Sequence, residues 1–236
     1  MANKQDYNNI GSKIRTIIWE KLKIESSFCV GETQSWLPMT PIKEAYPTYW
    51  RCISEVYHEI NGFNLVLDEV LEKHKKDLKT GSLENDIFFN NPLNLIVEFD
   101  EKTHFNEFRY STLLSDIYDG YNGFDVSDYL NWSNKQVLGG YWNNRAMFLN
   151  SPDPLFPENP ENERQDNRVR QRAFRDFIRD ITVLEKGYSQ VVRIPNKIIG
   201  WSNRNNFSKN ELGKIKAYLE DIKFWKNLVI KEADFK

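Results

Sequence analysis

The sequence predicts an α/β protein built around a small mixed sheet. Apolar residues at helical spacing mark helices early and late in the chain, and two short apolar strands near its middle are joined by a turn. A further short β-branched strand follows the clearest helix of the chain. The resulting order of helix, strand, strand, irregular segment, helix, strand and helix favours an α/β fold with helices flanking the sheet.

Helices are predicted in the first third of the chain. Ser12 is placed to cap a short amphipathic helix with isoleucines at helical spacing. Residues 35–47 are proline-rich and lack a stable period, so they are expected to form a loop. Helices are then predicted over Thr48–Ile60 and over Leu65–Leu78.

A hairpin is predicted next, because Asn90-Asn91-Pro92-Leu93 carries turn-forming residues between two apolar strands. If the turn is centred near Pro92, Asp86 lies opposite Glu98. Two carboxylates facing each other across a pair of strands repel unless something positive lies between them. A divalent cation would explain this pairing.

Alternate residues of a strand share one face, and here that face is rich in polar groups. Glu98, Asp100, Lys102 and His104 lie on it if the second strand of the hairpin persists. Acids, a lysine and a histidine at one strand end have the composition of a metal site.

The last third of the chain predicts a helix, a strand and a helix. An apolar stripe runs from Val169 to Leu184, and Gly187 ends that helix. Residues 188–195 are short, β-branched and closed by proline, which favours a buried strand. A capping-box pattern from Ser208 to Glu211 begins a C-terminal helix expected over about 208–230.

Composition limits the class of protein. The chain has 236 residues and 40% hydrophobic residues, enough for one core or for a core with a small lobe. Its two cysteines do not form a disulfide framework, so a reducing, cytoplasmic location is expected. No apolar run reaches the length of a membrane span, and the amino terminus has no signal-peptide pattern. We therefore expect no association with a membrane.

Positive charge is concentrated in one segment. The net charge is −2, yet residues 164–204 contain ten Lys or Arg against four Asp or Glu. Such a segment is compatible with binding to nucleic acid, and a solvated helix face alone would also produce it.

Two stretches of the chain resemble a known family. The spacing of Asp86, Ile96-Val97-Glu98-Phe99-Asp100 and His104 is similar to the active-site hairpin of PD-(D/E)xK nucleases, closest to the branch of very-short-patch repair and some restriction endonucleases. Residues 170–176, 185–188 and 192–195 are similar to the helix and strand that complete that fold. The resemblance implies one nuclease domain over 1–236. Its restriction-endonuclease-like core would occupy about 48–110 and 168–197, with an insertion at 106–163.

The resemblance also implies a Mg²⁺-dependent DNA phosphodiesterase. Magnesium prefers carboxylate oxygens, and the expected ligands are Asp86, Glu98 and Asp100. Lys102 would orient the attacking water or stabilise the phosphorus centre, and His104 would donate a proton or contact a phosphate. The register stays open, because Asp86 with Asp100 and Lys102 also satisfies the motif.

Basic and amide side chains are expected to contact the DNA. Arginines of the long helix would bind phosphates, which gives position without sequence reading. Asn and Arg side chains of the insertion and of a later segment suit adenine and guanine edges. The expected DNA-binding residues are Arg170, Arg172, Arg175, Asn143, Asn144, Arg145 and Arg204.

Three functions remain open on these grounds. The first is a type II restriction endonuclease that cuts double-stranded DNA at a specific sequence, as a homodimer if the site is palindromic. The second is a repair or mismatch endonuclease that nicks one strand as a monomer. The third is a non-catalytic nucleic-acid-binding module, whose binding would be indifferent to Mg²⁺.

Overall fold

The computed structural model describes residues 4–61, 65–134, 153–158, 166–200, 207–221, 223–226 and 228. Its α-helices are α1 (Lys4–Leu22), α2 (Trp50–Asn61), α3 (Leu67–Lys73), α4 (Glu107–Leu113), α5 (Val126–Ser133), α6 (Asn167–Glu185) and α7 (Lys209–Asp221). Its strands are β1 (Phe28–Pro38), β2 (Ser82–Phe89), β3 (Leu95–Asp100) and β4 (Val192–Pro195). Single 3₁₀ turns lie at Lys43–Ala45, Lys102–His104, Asp116–Tyr118, Asn196–Ile199 and Lys223–Lys226.

The four strands form one mixed sheet in the order β1-β2-β3-β4. β1 and β3 each run antiparallel to β2, and β4 runs parallel to β3. A parallel pair needs a long crossover connection, and the chain between β3 and β4 supplies helices α4, α5 and α6. This arrangement confirms the predicted α/β fold with a small mixed sheet flanked by helices.

The sheet is covered by helices on both faces. One core packs α2, α4 and α6 against it and includes Phe88, Ile96 and Phe177. The other packs α1 and α7 against it and includes Val97. β3 is buried along its whole length, which explains why its sequence is almost continuously apolar before the acids begin.

β1 is the strand that the sequence pattern did not predict. It extends to Pro38, so the prediction of a loop from residue 35 was wrong for its first four residues. Its sequence contains Gly31, Gln34 and Ser35 and shows no clear apolar alternation. Backbone pairing with β2 at the sheet edge, from Phe28 to Pro38, stabilises it instead.

Several predicted bounds differ from the structure. α1 begins at Lys4 rather than Ser12, and its polar first turn is anchored where the Asp6 carboxylate accepts a hydrogen bond from Phe207 N at 2.9 Å. α3 ends at Lys73, β4 begins only at Val192, and α7 ends at Asp221. The capping box at the start of α7 is confirmed, since the side chains of Ser208 and Glu211 each accept a bond from the other's backbone N–H.

The described part of the predicted insertion is packed into the core. α4 and α5 contact each other, and α4 packs on α6. Arg109, Tyr118 and Tyr129 are buried there, and Phe156 is buried as well. Residues 106–134 therefore belong to the helical layer that covers the sheet. The mixed pattern of this segment concealed that role because its buried groups are polar and aromatic.

Among the described residues, none of the helices has the length and apolar character needed to cross a membrane.

Candidate metal and phosphate site

Pairing of β2 with β3 brings Asp86 next to Glu98. Ile87 lies opposite Val97 in the paired strands, and the same register continued by one residue places Asp86 opposite Glu98. Asp86 N donates to Glu98 Oε1 at 3.3 Å, and Asp86 Oδ2 accepts a bond from Phe99 N at 2.7 Å. The predicted juxtaposition is confirmed. We call Asp86 and Glu98 the carboxylate pair.

β3 ends at Asp100, so the polar row does not continue along one face of a strand as predicted. The next residues form a 3₁₀ turn at Lys102–His104, closed where His104 N donates to Glu101 O at 2.9 Å. The turn directs the His104 ring back to the end of β3, with Nδ1 3.4 Å from Asp100 Oδ1. Lys102 is partly exposed in this turn, and burial lowers its pKa.

Arg193 of β4 holds Asp100. Its Nη1 lies 2.9 and 3.0 Å from the two oxygens of Asp100, and its Nε donates to Asp180 Oδ1 at 3.0 Å. Burial acts to lower the pKa of Arg193, but the carboxylates of Asp100 and Asp180 raise it well above its usual value. The guanidinium is therefore a permanent cation in the core.

Further polar contacts extend this arrangement into the helical layer. Asp180 accepts bonds from Arg109 Nη2 at 2.8 Å and from the Tyr118 hydroxyl at 2.7 Å. The Tyr129 hydroxyl donates to Asp100 Oδ2 at 3.0 Å. Each of these buried charges thus has an opposite charge and hydrogen-bond donors around it, as a buried ion requires.

Asp176 of α6 connects His104 to the same arrangement. Its Oδ2 lies 2.8 Å from His104 Nδ1, and its Oδ1 lies 3.2 Å from Arg179 Nη1. Burial acts to raise the pKa of Asp176, but His104 and Arg193 outweigh it and hold that pKa far below its usual value. Asp176 is therefore a well-compensated carboxylate.

The carboxylate pair has much less compensation. Arg179 Nε lies 3.2 Å from Glu98 Oε1. Burial nevertheless raises the pKa of Glu98 well above its usual value, against Arg179 and with help from Asp86. Burial also raises the pKa of Asp86 to about 6, against the Phe99 N–H and Arg179. The hydroxyl of Tyr7 has its pKa raised by burial and then by Asp86 and Glu101, which marks the same surplus of negative charge.

A count of charges locates this surplus. The connected cluster contains five carboxylates and three guanidiniums, so two negative charges lack a permanent partner within it. The carboxylates are Asp86, Glu98, Asp100, Asp176 and Asp180, and the guanidiniums are those of Arg109, Arg179 and Arg193. The surplus lies at the carboxylate pair, where Asp86 is partly exposed. Two neighbouring carboxylates that share a single guanidinium fit a hard divalent cation.

A second group of ligand-type atoms lies beside the pair. Atoms of Asp100, His104 and Asp176 all lie within 4.8 Å of one another. Arg193 contacts two of these carboxylates, at 2.9 Å for Asp100 and 3.7 Å for Asp176, and the pKa of Asp176 shows no shortage of positive charge. Electrostatics therefore favour the carboxylate pair over this group for a cation.

The predicted DNA-binding residues have different positions. Arg170 is buried and bonds to Asp166, Asn61 and the carbonyl of Pro157, so it anchors the start of α6 rather than facing solvent. Arg172 and Arg175 are partly exposed on α6. The remaining predicted contacts, Asn143, Asn144, Arg145 and Arg204, lie outside the described residues.

Several members of the cluster were not predicted as site residues. Asp176 and Asp180 flank the apolar stripe of α6 one turn apart, and Arg193 interrupts the apolar run of β4. A charged residue inside a buried strand requires a buried partner of opposite sign, and that was the signal in the sequence. Which acids would be its partners depends on tertiary packing, since Asp100 lies 93 residues away.

Comparison with known proteins gives one match. The model of a family described as "Family of unknown function (DUF7255)" matches residues 66–197, more than half of the chain. The matched range includes β2, β3, α6 and β4 and hence the whole charged cluster. No curated protein and no solved structure gives a significant match.

Proposed function

The chain belongs to the DUF7255 family, and we propose that it is a divalent-cation-dependent endonuclease that hydrolyses phosphodiester bonds in double-stranded DNA. The observation that carries this proposal is the carboxylate pair, in which Asp86 and Glu98 lie next to each other at a partly exposed strand end and share the one guanidinium of Arg179. Mg²⁺ prefers such oxygen ligands and keeps several of its waters.

Asp86 and Glu98 would hold the ion, and the residues around them would position these two ligands. When bound, Mg²⁺ would supply a water-derived nucleophile near neutral pH and offset charge on the phosphate. Arg179 forms an ion pair with one oxygen of Glu98 and is itself held by Asp176 and by the carbonyl of Glu84, at 2.9 Å. Asp100 would act indirectly, because its two oxygens are engaged by Arg193 and Tyr129.

His104 would exchange a proton with the substrate. Asp176 accepts from its Nδ1, which orients the ring and leaves Nε2 as the nitrogen for proton transfer. The ring is partly exposed in the turn that follows β3, on the same side of the sheet as the carboxylate pair. Lys102, in the same turn, would contribute positive charge near the phosphate.

Cleavage of supercoiled plasmid tests this proposal. We expect breakage with Mg²⁺, none with EDTA, and a loss of about 100-fold or more in Asp86→Asn, since outer-shell partners of a metal alone contribute about 10- to 100-fold and Asp86 would be a direct ligand. The matched control is Asp128→Asn, which also removes a carboxylate with a raised pKa, but on α5. Equal activity of Asp86→Asn and wild type would contradict the proposal.

The products distinguish the narrower forms of the proposal. Discrete linear fragments would support a sequence-specific restriction endonuclease, and a symmetric cut would require the homodimer expected from the sequence. Nicked circles alone would support the repair-type nicking enzyme. DNA binding without cleavage, unchanged by Mg²⁺ and by Asp86→Asn, would leave a binding module.

A further inference from the structure

A row of arginines runs along one face of α6 towards the carboxylate pair. The row consists of Arg168, Arg172, Arg175 and Arg179, spaced by four, three and four residues. Side chains at such spacings lie on the same side of a helix. The last of them, Arg179, contacts Glu98, so the row ends at the candidate metal site. We call Arg168, Arg172 and Arg175 the arginine strip.

The strip also touches the turn that carries His104. A guanidinium nitrogen of Arg172 donates to the hydroxyl of Thr103, the residue before His104 in the sequence. The strip and the proposed proton-transfer residue are therefore neighbours in space.

The arginine strip carries more positive charge than the carboxylates near it neutralise. Asp153 lies 3.4 Å from Arg175 and 3.6 Å from Lys79, and its other oxygen accepts a bond from the backbone of Leu155. The guanidiniums of Arg168 and Arg172 donate to the neutral side chains of Gln171 and Thr103. Lys79, Arg175 and Arg168 thus share the single carboxylate of Asp153, and Arg172 has no ion pair among the described residues, so positive charge is in excess along the strip.

The pKa values agree with this excess. Burial and then the charge of Arg172 lower the pKa of Arg168. Burial lowers the pKa of Arg175, and Arg168 and Arg179 lower it further, against Asp153. Mutual repulsion of this kind is relieved when an anion binds between the cations.

We propose that the arginine strip and Lys79 bind consecutive backbone phosphates of one nucleic-acid strand, next to the phosphate that lies at the carboxylate pair. The proposal rests on the proposed function for the identity of that scissile phosphate, but the binding itself needs no metal. The seven helical steps from Arg168 to Arg175 span about 10 Å, comparable to about three nucleotides of one strand at 3.4 Å each. The substrate is therefore a polynucleotide rather than a small phosphate ester.

Salt dependence of binding tests the strip. Anisotropy of a labelled duplex is measured in EDTA over a series of KCl concentrations, with wild type, Arg172→Gln, Arg175→Gln and the double variant. Each phosphate contact contributes about 0.9 to the slope of log K against log salt, so each single variant should reduce the slope by about 0.9 and the double variant by about 1.8. Each single variant should also weaken binding by about 3- to 10-fold at 0.1 M KCl.

Three controls accompany this measurement. Arg172→Lys keeps the charge and should keep the slope. Arg51→Gln removes an exposed arginine of α2 that pairs with Glu55 and should leave the slope unchanged. Lys79→Gln, which alters a partly exposed side chain, replaces Arg175→Gln if that variant does not fold, and it should likewise reduce the slope.

The outcomes separate this inference from the proposed function. Mg²⁺-dependent cleavage with an unchanged slope in Arg172→Gln and Arg175→Gln would overturn the strip alone. Reduced slopes without any cleavage would retain the strip and overturn the endonuclease. Equal loss of binding to polyglutamate and to DNA in the variants would overturn the assignment to a nucleic-acid backbone.

Discussion

The two halves of the charged cluster differ in how their charges are compensated. Around Arg193, the carboxylates of Asp100 and Asp180 have guanidinium and hydroxyl partners within about 3 Å, and Asp176 has the His104 imidazole at 2.8 Å and a pKa that is held low. At the carboxylate pair, by contrast, the pKa values of Asp86 and Glu98 are raised. Full pairing of buried charges is what a stable core requires, whereas incomplete compensation is typical of sites that bind a ligand.

The largest expected effect comes from removing Arg193, the central cation of the compensated half of the cluster, which also contains Asp100, Asp176 and Asp180. Arg193→Met would leave Asp100 and Asp180 as buried charges without their main partner, at a cost of about 3–5 kcal/mol in the free energy of unfolding. Urea denaturation measures it. Lys216→Met, which removes an exposed pair with Glu220, should change stability by less than about 0.5 kcal/mol. A loss below about 1 kcal/mol in Arg193→Met would show that the two halves do not differ in this way.

Removing a charge from the carboxylate pair should instead raise the free energy of unfolding. Because folding raises the pKa of Asp86 from 3.8 to about 6, the folded state holds its proton more tightly. Stability contributed by this group is present below pH 3.8 and is lost as the pH rises to about 6. Asp86→Asn should therefore be more stable than wild type at pH 7, by up to about 3 kcal/mol, and equal to it near pH 3.5.

Denaturation curves at several pH values check this prediction. Added Mg²⁺ should raise the free energy of unfolding of the wild-type protein at pH 7, because a bound cation favours the ionised pair. It should leave that of Asp86→Asn unchanged. A variant that is less stable than wild type at pH 7 without metal would mean that Asp86 is already compensated.

A substitution that displaces β4 would disturb Arg193 without changing any residue of the charged cluster. Gly123 packs against β4, and an added Cβ would lie 1.9 Å from Val191 O. Arg193 N also donates to Gly123 O at 3.2 Å. Gly123→Ala should therefore cost about 2 kcal/mol through forced displacement of the strand. Gly213→Ala on α7, where a Cβ meets nothing within 4 Å, should stabilise by about 0.5–1 kcal/mol. Equal melting temperatures for the two variants would refute this account.

The smallest effect distinguishes charged from neutral acceptors. Tyr129→Phe removes a donor to the buried Asp100 carboxylate. It should lower the free energy of unfolding by about 1.5 kcal/mol, the lower end of the range for hydrogen bonds to charged groups. Tyr57→Phe removes a donor to the carbonyl of Leu155 and should cost about 1 kcal/mol. Calorimetric unfolding of both variants measures the difference. A larger loss in Tyr57→Phe would mean that Asp100 does not depend on its hydroxyl partner.

The sequence predicted the parts of the molecule that depend on local pattern. The apolar stripe of α6, the capping box and the turn near Pro92 each require only neighbouring residues, and the turn fixed the register that places Asp86 beside Glu98. β1 was missed because its stability comes from pairing with β2 rather than from its own pattern.

The charged cluster could be predicted only in part for the same reason. Arg170 and Arg193 both appeared as members of a basic segment, yet both are buried in ion pairs. Composition gives the sum of charge in a segment but not which charges face solvent, since that depends on acids elsewhere in the chain. The basic face on α6 is consequently narrower than the ten residues counted in the sequence suggest.

Arg193 also sets the order in which the molecule can be completed during synthesis. Its guanidinium joins Asp100 of β3, 93 residues earlier, to Asp180 of α6, and its carbonyl accepts a bond from the Tyr218 hydroxyl of α7 at 3.1 Å. A nascent chain that has not yet emerged past residue 193 holds these acids without their cation. The strands that carry Asp86 and Glu98 are thus synthesised before Arg193, and the charged cluster around them is completed only late in translation.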